Sequence, residues 1–346
     1  MPGGEDSLTR LLLSLVFFYV WLLVWYFANI LLHEAGHLVC GLLTGYRFVS
    51  YRAGRFIWYR RGGKIHLGHY QIQGTGGQCL LGPPGSPDDD YPYVLYNLGG
   101  VLANLLLGGI LLWGGAAAGS DPFWRMPLLL AGCLSLLVGL PNLIPFRHIS
   151  SDGSNLLHAR RSPQTRRALW LTLAVNEQLT DGRRLREMPD HWFDPPPLDA
   201  QLDPLTAGVC CTAAQRLMDE GRLEPAAALY RDVLARCPLL IDLQKNEIAC
   251  ELLLLTLLTQ GPGADADALN TPALRKYIRV TAGYPSRQCL LYAMALLMER
   301  DPAAAGQARS AFDAAAARYP LAGEVPLYRE LMELAQTRAA QAVSSL

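Results

Sequence analysis

The chain has 346 residues, 51% of them hydrophobic, and its 30 basic residues balance 30 acidic ones. That length has room for about two domains, and a net charge of zero gives no basic surface for nucleic acid. Charge is nearly absent from residues 11–32, 93–118 and 127–146. At 1.5 Å per residue, each of these is long enough to cross about 30 Å of hydrocarbon. The pattern predicts a mostly α, polytopic membrane protein with spans at about 10–44, 93–118 and 127–146.

The first apolar stretch, LLLSLVFFYVWLLVWYFANILLHEAGHLVCGLL, carries HEAGH near its end. On a helix His33 and His37 lie one turn apart on the same face, where one divalent metal can take both imidazoles. Glu34 is beside them as a candidate catalytic carboxylate. Ionisable groups inside so apolar a run are costly and read as functional. The stretch is too long for a signal peptide and lacks a small-residue cleavage site, so it is expected to be retained. A helix from about residue 8 to 44 exceeds the bilayer thickness and must tilt, break or project.

Residues 46–92 hold six basic residues, which marks the segment as cytoplasmic. Arginines after residue 146 repeat the signal. Together they predict an outside N-terminus and a cytoplasmic C-terminal domain. Alternation on either side of Arg61-Gly62-Gly63-Lys64 predicts a β-hairpin. The glycine-rich stretch 74–84 that follows, with Gly76 and Gly77, reads as a loop that touches the membrane. His66 and His69 point to opposite faces of a strand and read as surface residues. Asp88, Asp89 and Asp90 read as a solvated turn.

In the second span, Asn97, Gly100, Asn104 and Gly108 fall on one stripe, suited to close helix packing or, for Asn97 and Asn104, to substrate contact. Pro141 and Pro145 are expected to disturb the end of the third span and leave Asn142 facing a cavity. Asp152-Gly153 reads as a turn soon after. A metal held by two histidines needs another protein ligand, commonly a carboxylate, and Asp152 is the candidate.

HEAGH in one apolar helix, LANLLLGG in a second and NLIP with SDG after a third resemble the site-2 protease family of intramembrane zinc metalloproteases. The resemblance covers roughly residues 10–158. It implies a three-helix metalloprotease core that binds one zinc ion per chain through His33, His37 and Asp152. Glu34 would be the catalytic glutamate and Asn142 a residue that holds substrate or its developing oxyanion. The stretch around Gly74 to Pro84 resembles the family's membrane-associated β-loop, and the hairpin with this loop is expected to offer an edge to which an unwound substrate adds at Gly76 and Gly77. The implied substrates are membrane proteins cut in or near their transmembrane segments. This chain departs from the family in placing the aspartate ten residues after Asn142 rather than eight, with serines around it, so His148 stays open as a ligand.

Residues 159–200 read as a linker and connecting helix, and 201–346 as a cytoplasmic, alanine- and leucine-rich helical domain. Gly221, Ala226, Tyr230 and Pro238 have the offsets of a tetratricopeptide repeat, with weaker echoes ending at Pro285 and Pro320. Such a surface suits a protein or peptide partner. Eight scattered cysteines without a CxxC predict no disulfide framework. A non-catalytic membrane scaffold, which binds a client and recruits a partner through the tail, is the rival reading.

Overall fold

A computed structural model describes residues 3–72, 75–119, 121–145, 151–194, 196 and 202–344. It is mostly helical, with one small antiparallel sheet. The three apolar stretches are helices α1 (Gly3–Leu43), α2 (Tyr93–Ala117) and α3 (Pro122–Leu143), each long and apolar enough to cross a membrane. α1 is continuous over 41 residues, about 60 Å and twice the hydrocarbon thickness. Every side chain from Leu8 to Val20 is exposed, and Asn29 is the first buried one. α2 and α3 therefore cover only the second half of α1, which carries HEAGH.

Glycines set how closely the helices approach. A Cβ on Gly36 or Gly99 would overlap the backbone of the other helix, so α1 and α2 touch main chain to main chain there. Asp121 caps α3 by accepting from the Phe123 amide at 2.9 Å, with Pro122 in the first turn. Contrary to expectation, α3 runs through Pro141 to Leu143. A proline two residues from a helix end removes one hydrogen bond without breaking what precedes it.

Strands β1 (Arg47–Ala53), β2 (Phe56–Arg61), β3 (Lys64–His69) and β4 (Gly77–Gly82) form a sheet in the order β3-β2-β1-β4. The expected hairpin is β2–β3, with Arg61 opposite Lys64 and both turn glycines at positive φ, as a two-residue hairpin turn requires. The glycine-rich stretch is not the loop that was expected. Its residues 77–82 add to β1 as an outer strand, from Ala53 opposite Gly77 to Arg47 opposite Gly82. Burial of Cys79 and Leu81 on one face supplies what β-propensity does not. On the far side of the sheet Phe56, Trp58, Ile65 and Leu67 leave one exposed apolar face. His66 lies against Tyr59 and His69 against Phe56.

Helices α4 (Asp152–Arg161) and α5 (Pro163–Asp181) follow, capped by Ser151 and Ser162. α5 is a core element, with Trp170 and Leu171 buried and the Trp170 indole donating to the Pro84 carbonyl at 2.9 Å. Arg47 pairs with Glu177 at 2.7 Å, and Arg61 reaches the carbonyls of Thr180 and Pro320 at 3.0 and 2.7 Å. These contacts tie the sheet to α5 and to the tail. The acidic turn is engaged as well, since Asp88 pairs with Arg167 and Asp90 with Arg166, both at 3.0 Å.

The tail comprises α6 (Pro204–Asp219), α7 (Leu223–Arg236), α8 (Asp242–Thr259), α9 (Ala264–Leu269), α10 (Pro272–Val280), α11 (Pro285–Met294), α12 (Pro302–Ala316) and α13 (Val325–Ser344). Leu252 to Leu258 are all buried, so α8 is surrounded by its neighbours. Ala226 and Tyr230 of α7 are buried in the same core, and Gly221 turns α6 into α7 at φ +76°.

Candidate metal centre

The HEAGH turn lies against the first half of α2. Nε2 of His33 and Nε2 of His37 are 3.2 Å apart, and Oδ2 of Asp152 lies 3.1 Å from the first and 3.4 Å from the second. The three donors form a group that could hold a metal ion. Two ligands on a tetrahedral zinc, with bonds of about 2.05 Å, sit roughly 3.3 Å apart. The spacing suits a tetrahedral metal ion without rearrangement.

The surroundings fix which ring nitrogen faces the centre. His37 Nδ1 is 2.7 Å from the Tyr96 carbonyl, which can only accept, so Nδ1 carries the proton and Nε2 presents a lone pair. His33 Nδ1 is 2.8 Å from Oδ1 of Asn104. The Asn29 amide donates to the Trp25 carbonyl at 2.8 Å, so Asn29 Oδ1 is left to accept from Asn104 Nδ2 at 3.1 Å. That turns the oxygen of Asn104 toward His33. Ser135 completes the shell by donating to the Asn104 carbonyl at 2.9 Å. Two imidazole lone pairs and a carboxylate oxygen thus converge, an arrangement that a cation between them satisfies.

Asp152 is the first residue of α4, a helix N-terminus rather than the expected turn. Ser151 holds that end, donating to the Ile144 carbonyl at 2.9 Å and accepting from the Ser154 amide at 3.2 Å. Gly153 lets α4 approach α3, since a Cβ there would collide with the Leu143 carbonyl. The Asp152 side chain is 19% exposed, and its Oδ2 lies where the two Nε2 lone pairs meet. His148 lies outside the described residues.

Glu34 accepts no hydrogen bond from the described residues and is packed against β4. A Cβ on Gly77 would stand 2.7 Å from Glu34 Oε1, and one on Gly76 2.8 Å from Ile30. Behind them the buried Arg52 donates to the Gly77 carbonyl at 3.1 Å, to the Gly54 carbonyl at 2.8 Å and to the Thr75 hydroxyl. Asn104 is fully buried behind His33, whereas Asn142 donates to the Val138 carbonyl of its own helix at 3.0 Å.

Gly100 also belongs to the site. A Cβ there would lie 2.5 Å from Nε2 of both histidines. Asn29, Ser135, Arg52 and the Tyr96 carbonyl were not foreseen either. Asn29 left a signal, being a polar residue in a span one turn before His33. The site lies seven residues into α2, roughly 10 Å from its N-terminal end. No protein-family model, curated protein or solved structure matches this chain.

Proposed function

We propose that this chain is an intramembrane zinc metalloendopeptidase, of the kind found in the site-2 protease family. It hydrolyses peptide bonds in or near the transmembrane segments of membrane-protein substrates. The observation that carries the reading is the convergence of His33, His37 and Asp152 at ligand-to-ligand spacing, with the unpartnered Glu34 next to them. His33, His37 and Asp152 would hold one zinc ion per chain. A zinc ion there supplies Lewis acidity to the scissile carbonyl and the attacking water. Glu34 takes the proton from that water and passes it to the leaving amine. Asn104 and the Tyr96 carbonyl keep both imidazoles in the ligand tautomer, and Asn142 is assigned to substrate or oxyanion contact.

A transmembrane helix hides its carbonyls in its own hydrogen bonds, so a substrate must be extended before attack. β4 is an outer strand of the sheet and lies beside Glu34. An unwound substrate adds to it as a further strand, and Gly76 and Gly77, by lacking side chains, let that strand lie close against Ile30 and Glu34. The exposed face of Phe56, Trp58, Ile65 and Leu67 rests on the bilayer. The N-terminus is outside, the three spans cross the cell membrane, and the tetratricopeptide-like tail stands in the cytoplasm.

The test is product mapping by mass spectrometry after incubating the reconstituted protein with a single-span substrate and with a soluble unfolded polypeptide. The expected result is a cut within or at the cytoplasmic end of the span, with the soluble chain left whole. Gly77→Pro should keep zinc and lose cleavage. Undiminished cleavage by that variant contradicts strand addition, and failure to cut the single-span substrate contradicts the peptidase reading.

A further inference from the structure

The helical tail contains a cavity of about 400 Å³, distinct from the metal centre. Its wall carries the carboxylates of Glu247, Glu251 and Glu324, together with Tyr70, Tyr230, Tyr277, Tyr284, Tyr319 and Tyr328. One guanidinium serves this acidic group. Arg287 is 1% exposed, bonds Glu247 and lies 3.3 Å from Glu251. Three carboxylates facing one cation leave the wall short of positive charge.

The hydrogen bonds do not remove the deficit. Tyr277 donates to Glu247, Tyr328 to Glu251 at 3.3 Å, and Glu324 takes Tyr319 at 2.9 Å and Gln215, all neutral donors that supply no counter-charge. Among the described residues Oε2 of Glu251 has no partner, although Glu251 is only 8% exposed. An unpaired carboxylate oxygen at that depth is costly and calls for a donor. Burial pushes the Glu324 carboxyl up to about 7, consistent with a missing counter-ion. The tyrosine rings add negative π-faces, which attract a cation as the carboxylates do.

We propose that this cavity is a binding site for an organic cation: an alkylammonium or guanidinium head on an aliphatic stem. The head pairs with Glu251 and Glu324 while the stem lies against the tyrosine rings. The source is either a lysine or arginine side chain of a peptide or a free polyamine. Tyr70 and Ile72 of the wall belong to the segment between β3 and β4, and Tyr284 donates to the Gln71 carbonyl at 3.1 Å. An occupant therefore touches the stretch that leads to Gly77.

The test is calorimetric titration of the full chain in detergent micelles, with three probes: N-acetylarginine methylamide, spermidine, and N-acetylnorleucine methylamide as the neutral isostere. At least one cation should bind at one site per chain, about tenfold or more tighter than the isostere. Affinity should fall by about tenfold in Glu251→Gln and in Glu324→Gln. Glu324 makes no bond to Arg287, so Glu324→Gln remains readable if Glu251→Gln fails to fold. Tighter binding of the arginine probe identifies a peptide source, and tighter binding of spermidine a free polyamine. Binding of neither cation above the isostere, or wild-type affinity in a folded Glu324→Gln, overturns the proposal. The readout needs neither zinc nor cleavage.

Discussion

Replacing Gly100 by alanine tests the geometry of the metal centre through a residue that is not a ligand. The new Cβ would stand 2.5 Å from Nε2 of both His33 and His37, where an ordinary contact begins at 3.4 Å. The gap must open by about 0.9 Å, several times the roughly 0.2 Å tolerance of a metal site. A retreat of α2 would pull apart the backbone contact between Gly99 and Gly36 one residue away. Overpacking of this kind costs about 1–3 kcal/mol, or roughly 5- to 150-fold in zinc affinity if the strain falls on the bound state. Competition with a chromogenic chelator measures that loss. Gly109→Ala is the control, since nothing lies within 4 Å of its Cβ. Wild-type zinc affinity in Gly100→Ala would refute the placement of the ion between the two imidazoles.

Two further outcomes follow from neighbouring contacts. Asn104→Ala removes the oxygen that orients His33 and should weaken zinc by about 10- to 100-fold in the same assay, so unchanged affinity contradicts the orienting role. Glu324, with its carboxyl raised from 4.5 to about 7 by burial, keeps a proton in the folded chain that the unfolded chain has lost. Its contribution to stability is therefore full below about 4.5 and is lost as pH rises through about 7. Melting temperatures at about pH 5.5 and about pH 7.5 should show lower stability at the higher pH, and Glu324→Gln should remove most of that difference. An undiminished difference in the variant assigns the pH dependence to other groups.

The features that were legible in the sequence rest on local periodicity. Three charge-free runs gave α1, α2 and α3 within a few residues, and Gly62-Gly63 fixed the β2–β3 turn. The separation of His33 and His37 fixed a shared helical face. Long-range pairing was not legible. β4 reads as glycine-rich loop because its strand character comes from pairing with β1, whose partner residues run from Ala53 opposite Gly77 to Arg47 opposite Gly82, distant in sequence. Asp152 was chosen as the carboxylate that two histidines still need, yet what brings it to them is the Ser151 cap and the close approach at Gly153. Gly100 stood out only as one small residue on a packing stripe. Its relation to both imidazoles depends on how deeply α1 and α2 interlock at Gly36 and Gly99. The acidic, tyrosine-lined cavity gathers residues from 70 to 328, and no window of sequence contains it.

The central claim is most directly tested by measuring zinc content and cleavage of a single-span substrate on the same detergent-purified samples, for wild type and Glu34→Gln. The account predicts one zinc ion per chain in both, with cleavage in wild type alone. Cleavage by Glu34→Gln at the wild-type rate would contradict the mechanism, and a wild-type chain that neither holds zinc nor cuts would contradict the peptidase reading altogether.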